Sequence, residues 1–286
     1  MGEMPAAGTV VLGAVAYDAK VVTIWEGFRD WFRAAGLAFD YVLYSNYERQ
    51  VEALVAGEIT AAWNSPLAWL RSRRLAPVRA VAMRDSDCDL TSVVVVRADS
   101  GLESVADLAG RTVGVGALDS PQATLIPLGH LRAEGLIGGA DFAVRTHDVA
   151  VGKHGDHVGG ERDAARALMA GEVDAACMID GNHLLFATDG TLPPGATRIL
   201  AQTPPYDHCN LTVLEAVADQ PAVASFSELL LGMSYDDPAV RPLLDLEGLK
   251  EWRPGRTSGY RLLEAAVRDL AFYDDEGNVT AAGYRP

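Results

Sequence analysis

The chain has few positive charges, few cysteines and no long apolar run. Its 24 lysines and arginines are outnumbered by 39 aspartates and glutamates, which gives a net charge of −15. No segment forms a basic patch, so the long-range field repels nucleic acids and anionic membrane surfaces. We therefore expect a small-molecule partner and no nucleic acid. Small anions stay open as ligands, because amide donors at helix N-termini can hold an anion inside an acidic protein.

The three cysteines, Cys88, Cys177 and Cys209, are too few for a disulfide framework. No stretch approaches the roughly 18 apolar residues of a membrane helix, so no membrane span is predicted. The N-terminal segment MGEMPAAGTVVLGAVAYD lacks the basic region and apolar stretch of a secretory leader. If residue 1 is the native start, this pattern predicts a cytoplasmic protein; if a leader has been removed, the protein is extracytoplasmic.

Strand and helix patterns alternate along most of the chain. The first series of strands and helices falls at residues 9–16, 20–35, 39–44, 46–56 and 59–63. A second series occupies residues 92–179. This order predicts an α/β protein whose sheets are mainly parallel and flanked by helices. With 286 residues and 49% apolar side chains, the chain can form one or two domains.

Two similar segments suggest that the chain has two lobes. Residues 54–62 are LVAGEITAA and residues 168–176 are LMAGEVDAA. The similarity has two interpretations: a chance likeness of helix–glycine–strand junctions, or the same local architecture in each lobe. The second interpretation fits the repeated βαβ pattern better. We predict a first lobe of residues 1–92 and 204–286 and a second lobe of residues 93–203, joined near 90–97 and 199–205.

Polar loops follow five of the predicted strands, at the end of a parallel sheet where ligands bind. In one loop, Asp119 or Ser120 caps a helix, and the amide groups that follow predict an anion site. Asn64 and Ser65 have two interpretations, a helix cap or a ligand donor. The ligand contacts predicted from these loops are Tyr17, Asn64, Ser65, Ser120, Gln122, His154, His157, Tyr206 and His208.

Histidine and cysteine residues in two of these loops leave metal binding and catalysis as alternatives. His154, His157, His208 and Cys209 are the candidate ligands of a divalent metal, although H-x-x-H spacing is not diagnostic. His157, His208 and Cys209 are the candidate catalytic groups if the protein is an enzyme. No other cofactor is expected. We predict that residues 153–160 and 206–210 face each other across the cleft, and that the acidic run 85–89 is a solvated turn.

Several segments together resemble one protein family. The runs SNYERQVEALVAGEITAAWNSP and SVVVVRADSGLESVADLAGRTVGVGALDSPQATLIPLGHL are similar to phosphate/phosphonate-type solute-binding proteins of ABC transporters. EVDAACMID and the C-terminal LLDLEGLKEWRP match in order. The resemblance implies a type II periplasmic-binding-protein fold that closes on a small anionic or zwitterionic ligand. It also implies an ABC permease partner if the protein is exported, and a contact between Asp180 and a ligand amine.

The ligand loop departs from the pattern of this family. The family offers several hydroxyls before the helix, whereas this chain keeps Ser120 alone and continues with Pro121, Gln122 and Ala123. The sequence therefore supports three functions. The first is solute binding without chemistry. The second is a cytoplasmic enzyme on the same fold, as in chorismate dehydratase or the pyrimidine synthase of thiamine synthesis. The third is a soluble sensor.

Overall fold

The computed structural model describes residues 8–147, 151–156 and 159–286. The described residues form two sheets, each flanked by helices. The strands in chain order are β1 Val10–Val15, β2 Phe39–Tyr44, β3 Ala61–Asn64, β4 Val78–Arg84, β5 Ser92–Arg97, β6 Thr112–Val115, β7 Ala143–Thr146, β8 Ala175–Ile179, β9 Thr197–Gln202, β10 Asn210–Leu214 and β11 Trp252–Pro254. The α-helices are α1 Lys20–Ala34, α2 Tyr47–Val55, α3 Pro66–Leu75, α4 Ile126–Ala133, α5 Gly159–Met169, α6 Asp180–Thr188, α7 Pro221–Leu231, α8 Arg241–Glu247 and α9 Arg261–Asp269. None of these helices has the length and apolar character needed to cross a bilayer.

The two sheets divide the strands between the start and end of the chain and its middle. The first has six strands in the order β11-β4-β10-β3-β1-β2, and the second has five in the order β7-β6-β8-β5-β9. The first lobe therefore contains the sheet of β1–β4, β10 and β11, and the second lobe contains the sheet of β5–β9. The lobe boundaries at 92/93 and 203/204 stay a prediction.

The parallel pairing predicted from the βαβ pattern is present at the core of each sheet. β1 pairs in parallel with β2 and β3, and β6 pairs in parallel with β7 and β8. The strands next to the crossovers run the other way: β10 is antiparallel to β3 and β4, and β5 is antiparallel to β8 and β9. Both sheets are therefore mixed, because no crossover helix precedes a strand that enters directly from the other lobe.

The similar segments 54–62 and 168–176 occupy equivalent places in the two lobes. Each contains the end of a helix, a glycine with positive φ and the start of a central strand: Gly57 has φ +72° and Gly171 has φ +73°. The strands that follow, β3 and β8, each pair in parallel with one central strand, β1 or β6. This placement supports the same local architecture in each lobe over a chance likeness.

The two crossover segments lie side by side. Leu90 and Tyr206 exchange backbone hydrogen bonds of 2.8 Å in both directions. Thr203 donates its amide to the Ser92 carbonyl at 2.9 Å, and its hydroxyl accepts the Ser92 amide at 3.0 Å. The lobes are therefore connected by a short antiparallel pair, which restricts their relative motion to bending and twisting about one narrow region.

Residues 151–156, called the bridging segment here, connect the second lobe to the first. On the second-lobe side, Asp119 accepts the amides of Gly152 at 2.5 Å and His154 at 3.0 Å. On the first-lobe side, the Gly152 carbonyl accepts the Tyr47 amide at 3.1 Å, and the Lys153 ammonium donates to the Ala16 carbonyl at 3.0 Å. The segment therefore belongs to the second lobe by sequence and is bound to both.

A substitution at Gly155 can test how tightly the bridging segment packs. Its φ is +71°, and an added Cβ would lie 2.8 Å from the Ser120 Cβ and closer still to its hydroxyl. Gly135 is a matched control, because its φ is +95° and nothing lies within 4 Å of an added Cβ. Both Gly→Ala changes cost on the order of 1 kcal/mol for the backbone conformation. We expect Gly155→Ala to lower the free energy of unfolding by a further 1 to 3 kcal/mol, roughly, because of the clash. Urea denaturation measures this, and equal losses in the two variants would contradict the tight packing.

Candidate functional site

A cavity of about 250 Å³ lies between the lobes, with room for one small molecule. The residues that line it come from both lobes and from the crossover: Tyr17, Trp63, Arg84, Ser86, Asp87, Leu90, Gln122, Gly155, Asp156, Ile179, Asn182, His208 and Cys209. The bridging segment and the 206–210 loop meet here, as predicted for their described residues. The Cys209 sulfur lies 3.9 Å from an Asp156 carboxylate oxygen.

The strand ends of the two sheets position these side chains. Tyr17 follows β1, Trp63 lies near the end of β3, and Arg84 is the last residue of β4. From the second lobe, Gln122 lies in a π-helical turn (Pro121–Leu125) that leads into α4, and Asn182 lies in the first turn of α6. The cavity is thus bounded by strand ends and helix starts, the usual ligand-binding location in α/β folds.

Arg84 organises the charged wall of the cavity. Its guanidinium contacts both Asp87 oxygens, at 2.5 and 3.0 Å, and Glu247 through the backbone carbonyl at 2.7 Å and the carboxylate at 3.2 Å. It also lies over the Trp63 ring, 5.1 Å from the centroid. Burial alone would raise the pKa of Asp87, but Arg84 and His208 outweigh it and lower that pKa to about 2. Glu247 keeps a pKa raised to about 7, because burial outweighs the attraction of Arg84.

Asp156 faces the cavity without a cationic partner among the described residues. Its side chain accepts a hydrogen bond from the Tyr47 hydroxyl and lies near the Cys209 thiol. Desolvation raises the pKa of Asp156 well above its usual value, and the nearby Glu247 raises it further. A positive charge placed in the cavity would favour the ionised form of this carboxyl group.

His208 lies between both walls of the cavity. Its Nε2 is 3.2 Å from the Gln122 side-chain oxygen, while its Nδ1 is 3.1 Å from the Cys209 sulfur and 3.5 Å from Asp87. The backbone carbonyl of His208 accepts the Tyr260 hydroxyl at 3.0 Å, which fixes the loop. The imidazole is therefore held in one place by polar neighbours on both sides.

One set of residues has donor atoms close enough for a metal ion. One ligand atom each from Asp87, His208 and Cys209 lies within 4.8 Å of the others. Their types suit zinc, but Arg84 already occupies both Asp87 oxygens. Burial also raises the pKa of the Cys209 thiol, which disfavours both a thiolate ligand and a cysteine nucleophile. Of the other predicted metal ligands, His154 lies outside this set, and His157 lies outside the described residues.

His154 makes buried structural contacts and does not form part of the cavity wall. It is fully buried, its Nδ1 is 2.6 Å from the Ser65 hydroxyl, and its Nε2 is 3.2 Å from Glu48. The ring stacks on Tyr47 with centroids 4.6 Å apart. Ser65 is also fully buried and accepts the Ala68 amide, so it is a helix cap. The serine–histidine–glutamate order resembles a catalytic triad, but its burial leaves no approach for a substrate; it anchors the bridging segment in the first lobe.

Four other predicted contacts are also not among the residues that line the cavity. Asn64 is fully buried and bonds Gln50 and Thr212. The Ser120 hydroxyl caps the Ala123 amide at 3.1 Å, as the cap prediction required, and it does not reach the cavity. The Tyr206 hydroxyl pairs with Ser92 at 2.7 Å, and Asp180 accepts the Thr91 hydroxyl at 2.8 Å. Internal partners engage these four side chains, and their roles as ligand contacts stay predictions.

Four of the predicted site residues line the cavity: Tyr17, Gln122, His208 and Cys209. Their roles as ligand contacts stay predictions. Sequence reasoning missed Arg84 and Asp87 in particular, because the acidic run 85–89 was interpreted as a solvated turn. Asp87 is instead 2% exposed. The available signal was Arg84 at the end of an apolar strand, three residues before an acidic one.

The two-sheet architecture and the cavity between the lobes define a two-lobed solute-binding protein with a type II periplasmic-binding-protein fold. The chain belongs to the family described as ABC transporter, phosphonate, periplasmic substrate-binding protein, whose sequence profile matches residues 14–260. This confirms the resemblance seen in the sequence and favours solute binding over an enzyme. No curated relative matches the chain by sequence.

Solved structures with the same fold are distant in sequence. PhnD1 from Prochlorococcus marinus in complex with methylphosphonate is 16% identical, with a TM-score of 0.69, covering 92% of this chain and 98% of that one. A binding protein component of an ABC phosphonate transporter from Pseudomonas aeruginosa is 14% identical, with a TM-score of 0.64 and coverage of 98% and 91%. The aliphatic sulphonate binding protein SsuA from Escherichia coli is 16% identical, with a TM-score of 0.60 and coverage of 93% and 92%.

Proposed function

We propose that the protein captures a compact phosphonate that also carries an amine. The observation that carries the proposal is Asp156, a carboxyl group that faces the cavity with no cationic partner among the described residues. An ammonium group is the complement of such a carboxylate, since a charge-assisted hydrogen bond forms only when the carboxyl is ionised. The family description and the methylphosphonate bound by PhnD1 support a phosphonate as the other end of the ligand.

The charge balance of the cavity supports the same ligand. Asp87 and Asp156 line the cavity and Glu247 contacts Arg84 from outside the lining, whereas Arg84 contributes one guanidinium that is already bound to Asp87 and Glu247. Burying an additional anion alone among these groups would be costly, because like charges repel strongly in an enclosed site. A zwitterion adds a positive charge near Asp156 and allows its anionic end to lie on the Arg84 side.

The contribution of the amine to the binding affinity can be tested with two matched ligands. 2-Aminoethylphosphonate and ethylphosphonate have the same carbon chain and differ in the ammonium group. We expect the aminated ligand to bind at least about tenfold more tightly, which corresponds to about 1.4 kcal/mol. Isothermal titration calorimetry measures both affinities. Equal affinity for the two ligands would contradict the proposal.

Two variants test which residue causes the preference for the aminated ligand. Asp156→Asn should reduce the preference for the amine to about threefold or less, because the amide cannot carry the negative charge. Asp180→Asn is the matched control, because Asp180 is the acidic position implied by the family resemblance, but it accepts the Thr91 hydroxyl and is not among the residues that line the cavity. It should leave the preference unchanged. If Asp180→Asn loses the preference for the amine while Asp156→Asn keeps it, the amine does not contact Asp156 and the assignment is wrong.

We also propose that the loaded protein delivers its ligand to an ABC permease outside the cytoplasm. The family description, which names an ABC transporter and a periplasmic protein, supports this. Fractionation of cells that produce the protein tests the location. Recovery with an extracytoplasmic marker supports the proposal, and recovery with a cytoplasmic marker contradicts it.

A further inference from the structure

Glu161 is a buried carboxylate directly behind the cavity wall. It lies in the first turn of α5 and is 2% exposed. Its Oε1 is 3.2 Å from the Gln122 side-chain nitrogen, and its Oε2 accepts the Asn182 side-chain nitrogen at 2.8 Å and the Ile179 amide at 3.0 Å. Gln122 and Asn182 both line the cavity. One carboxylate therefore holds two cavity-lining amide side chains.

These contacts decide which way each amide group points. One terminal atom of the Gln122 amide group lies close to both the Glu161 carboxylate and, at 2.7 Å, the Gly155 carbonyl. An ionised carboxylate and a carbonyl can only accept hydrogen bonds, so that atom must be the amide nitrogen. The Gln122 oxygen is then directed to His208, 3.2 Å away. In the same way, the Asn182 nitrogen is bound to Glu161, which leaves the Asn182 oxygen available to the cavity.

We propose that Glu161 is a positioning residue that turns the oxygen atoms of Gln122 and Asn182 toward the cavity side and thereby selects ligands with hydrogen-bond donors. This deepens the amine preference and rests on that proposed function. Amide nitrogens facing the cavity would suit the oxygens of a phosphonate group. Amide oxygens, together with Asp156, suit an ammonium group instead.

The orientation of Gln122 also fixes the tautomer of His208. Because the Gln122 oxygen can only accept, the His208 Nε2 beside it must carry a proton. With the proton on Nε2 alone, Nδ1 can accept from the Cys209 thiol at 3.1 Å, and it also lies 3.5 Å from Asp87. Two groups that do not touch His208, the Glu161 carboxylate and the Gly155 carbonyl, therefore favour the Nε2 proton through Gln122. This consequence can be observed without any ligand.

Glu161 titrates near neutrality, which adds a pH dependence. Burial raises its pKa to about 7, and the hydrogen bonds from Asn182, Ile179 and Gln122 offset only part of that rise. Below this pH the protonated carboxyl group becomes a donor, and its hold on the two amide nitrogens weakens. The other titratable groups close to it are Cys177 and Tyr206, and burial raises the pKa of each, so both stay neutral near pH 7. The preference for the amine should therefore fall as the pH decreases through about 7.

Glu161→Gln tests the inference because it reverses one hydrogen bond. The Ile179 amide and the Asn182 nitrogen both donate at the Oε2 position, so the new side-chain oxygen should occupy it. Its NH₂ group then lies against the Gln122 nitrogen, donor against donor, which favours a turned-over Gln122, whereas the Gly155 carbonyl at 2.7 Å favours the present orientation. In the turned-over form the His208 Nε2 faces an amide nitrogen and accepts from it, with the proton on Nδ1. Glu134→Gln is the matched control, because Glu134 is exposed in the same lobe.

Histidine nitrogen shifts in the ligand-free protein give the first readout. At pH 8.5, ¹H–¹⁵N correlation spectra should show His208 protonated at Nε2 in the wild type and in Glu134→Gln. In Glu161→Gln they should show an additional form of His208 that is protonated at Nδ1. A comparison with His208→Gln assigns the signals. A wild-type His208 without a proton on Nε2, or an unchanged Nε2 proton in Glu161→Gln, would overturn the inference whatever the ligand is.

Ligand preference gives the second readout. By calorimetry at pH 8.5, Glu161→Gln should lower the ratio of the affinities for 2-aminoethylphosphonate and ethylphosphonate by at least about fivefold. The ratio should also fall between pH 8.5 and 6 in the wild type, and less in the variant. If Glu161→Gln changes the His208 tautomer but not the ratio of the two affinities, Glu161 does not select the ligand. If the wild type shows the expected His208 tautomer but does not prefer the amine, the proposed ligand class is wrong and the positioning role of Glu161 stands.

Discussion

The insertion of the bridging segment into the first lobe is the contact on which the site depends. His154 reaches Ser65 and Glu48 from the second lobe and is fully buried there. This contact fixes the two residues that follow it, and those residues, Gly155 and Asp156, form part of the cavity wall. Removing a satisfied buried imidazole would leave unpaired polar groups in the first lobe, so the segment is held strongly. The cavity exists in its present form because this segment is docked.

The segment also affects how the lobes move. In a two-lobed binding protein, closure brings the walls of the cleft together around the ligand. Here Gly152 and Lys153 bond the first lobe directly, in addition to the short crossover pair at Leu90 and Tyr206. Opening the cleft must therefore break these contacts or carry the segment along with the first lobe. The ligand then adds its own contacts to an arrangement of the lobes that these hydrogen bonds already stabilise.

The polarity of the cavity follows from its wall and from a group directly behind it. In the wall, Arg84 holds Asp87 in its ionised form. Behind the wall, Glu161 orients two amide groups. Asp156 faces the cavity as a carboxyl group without a cationic partner among the described residues. Low dielectric around these groups strengthens each charge interaction.

Much of the fold could be predicted from the sequence, and much less of the site. Apolar periodicity gave the helix of residues 20–34 and the strands at 39–44, 92–97 and 112–115, because local burial determines these elements. The return strand β10 and the edge strand β11 were missed, since their partners are distant in the chain. Among the site residues, the structure selects Ser120 over Asp119 as one cap and the cap interpretation of Ser65, and capping is a local property.

The remaining site residues depend on contacts that no local pattern contains. His154 was expected in the cleft, but its burial depends on Glu48 and Tyr47, more than a hundred residues earlier in the chain. Arg84 and Asp87 belong to the site because Glu247 and His208 come to them from the C-terminal part. A loop rich in polar residues indicates where a ligand could bind. It does not indicate which polar atoms are already engaged within the protein.

Proton release on ligand binding tests the central claim most directly. Desolvation keeps the pKa of Asp156 raised, so in the free protein its carboxyl group binds a proton at pH values where an exposed aspartate would not. An ammonium group beside it favours the ionised form, so binding should release that proton. Calorimetry at pH 6 in buffers with different ionisation enthalpies measures the number released. The phosphonate groups of the two ligands also exchange protons, so wild type and variant are compared with each ligand separately. We expect Asp156→Asn to lower the proton release with 2-aminoethylphosphonate and to leave the release with ethylphosphonate unchanged. Equal release with 2-aminoethylphosphonate by the two proteins would contradict the account.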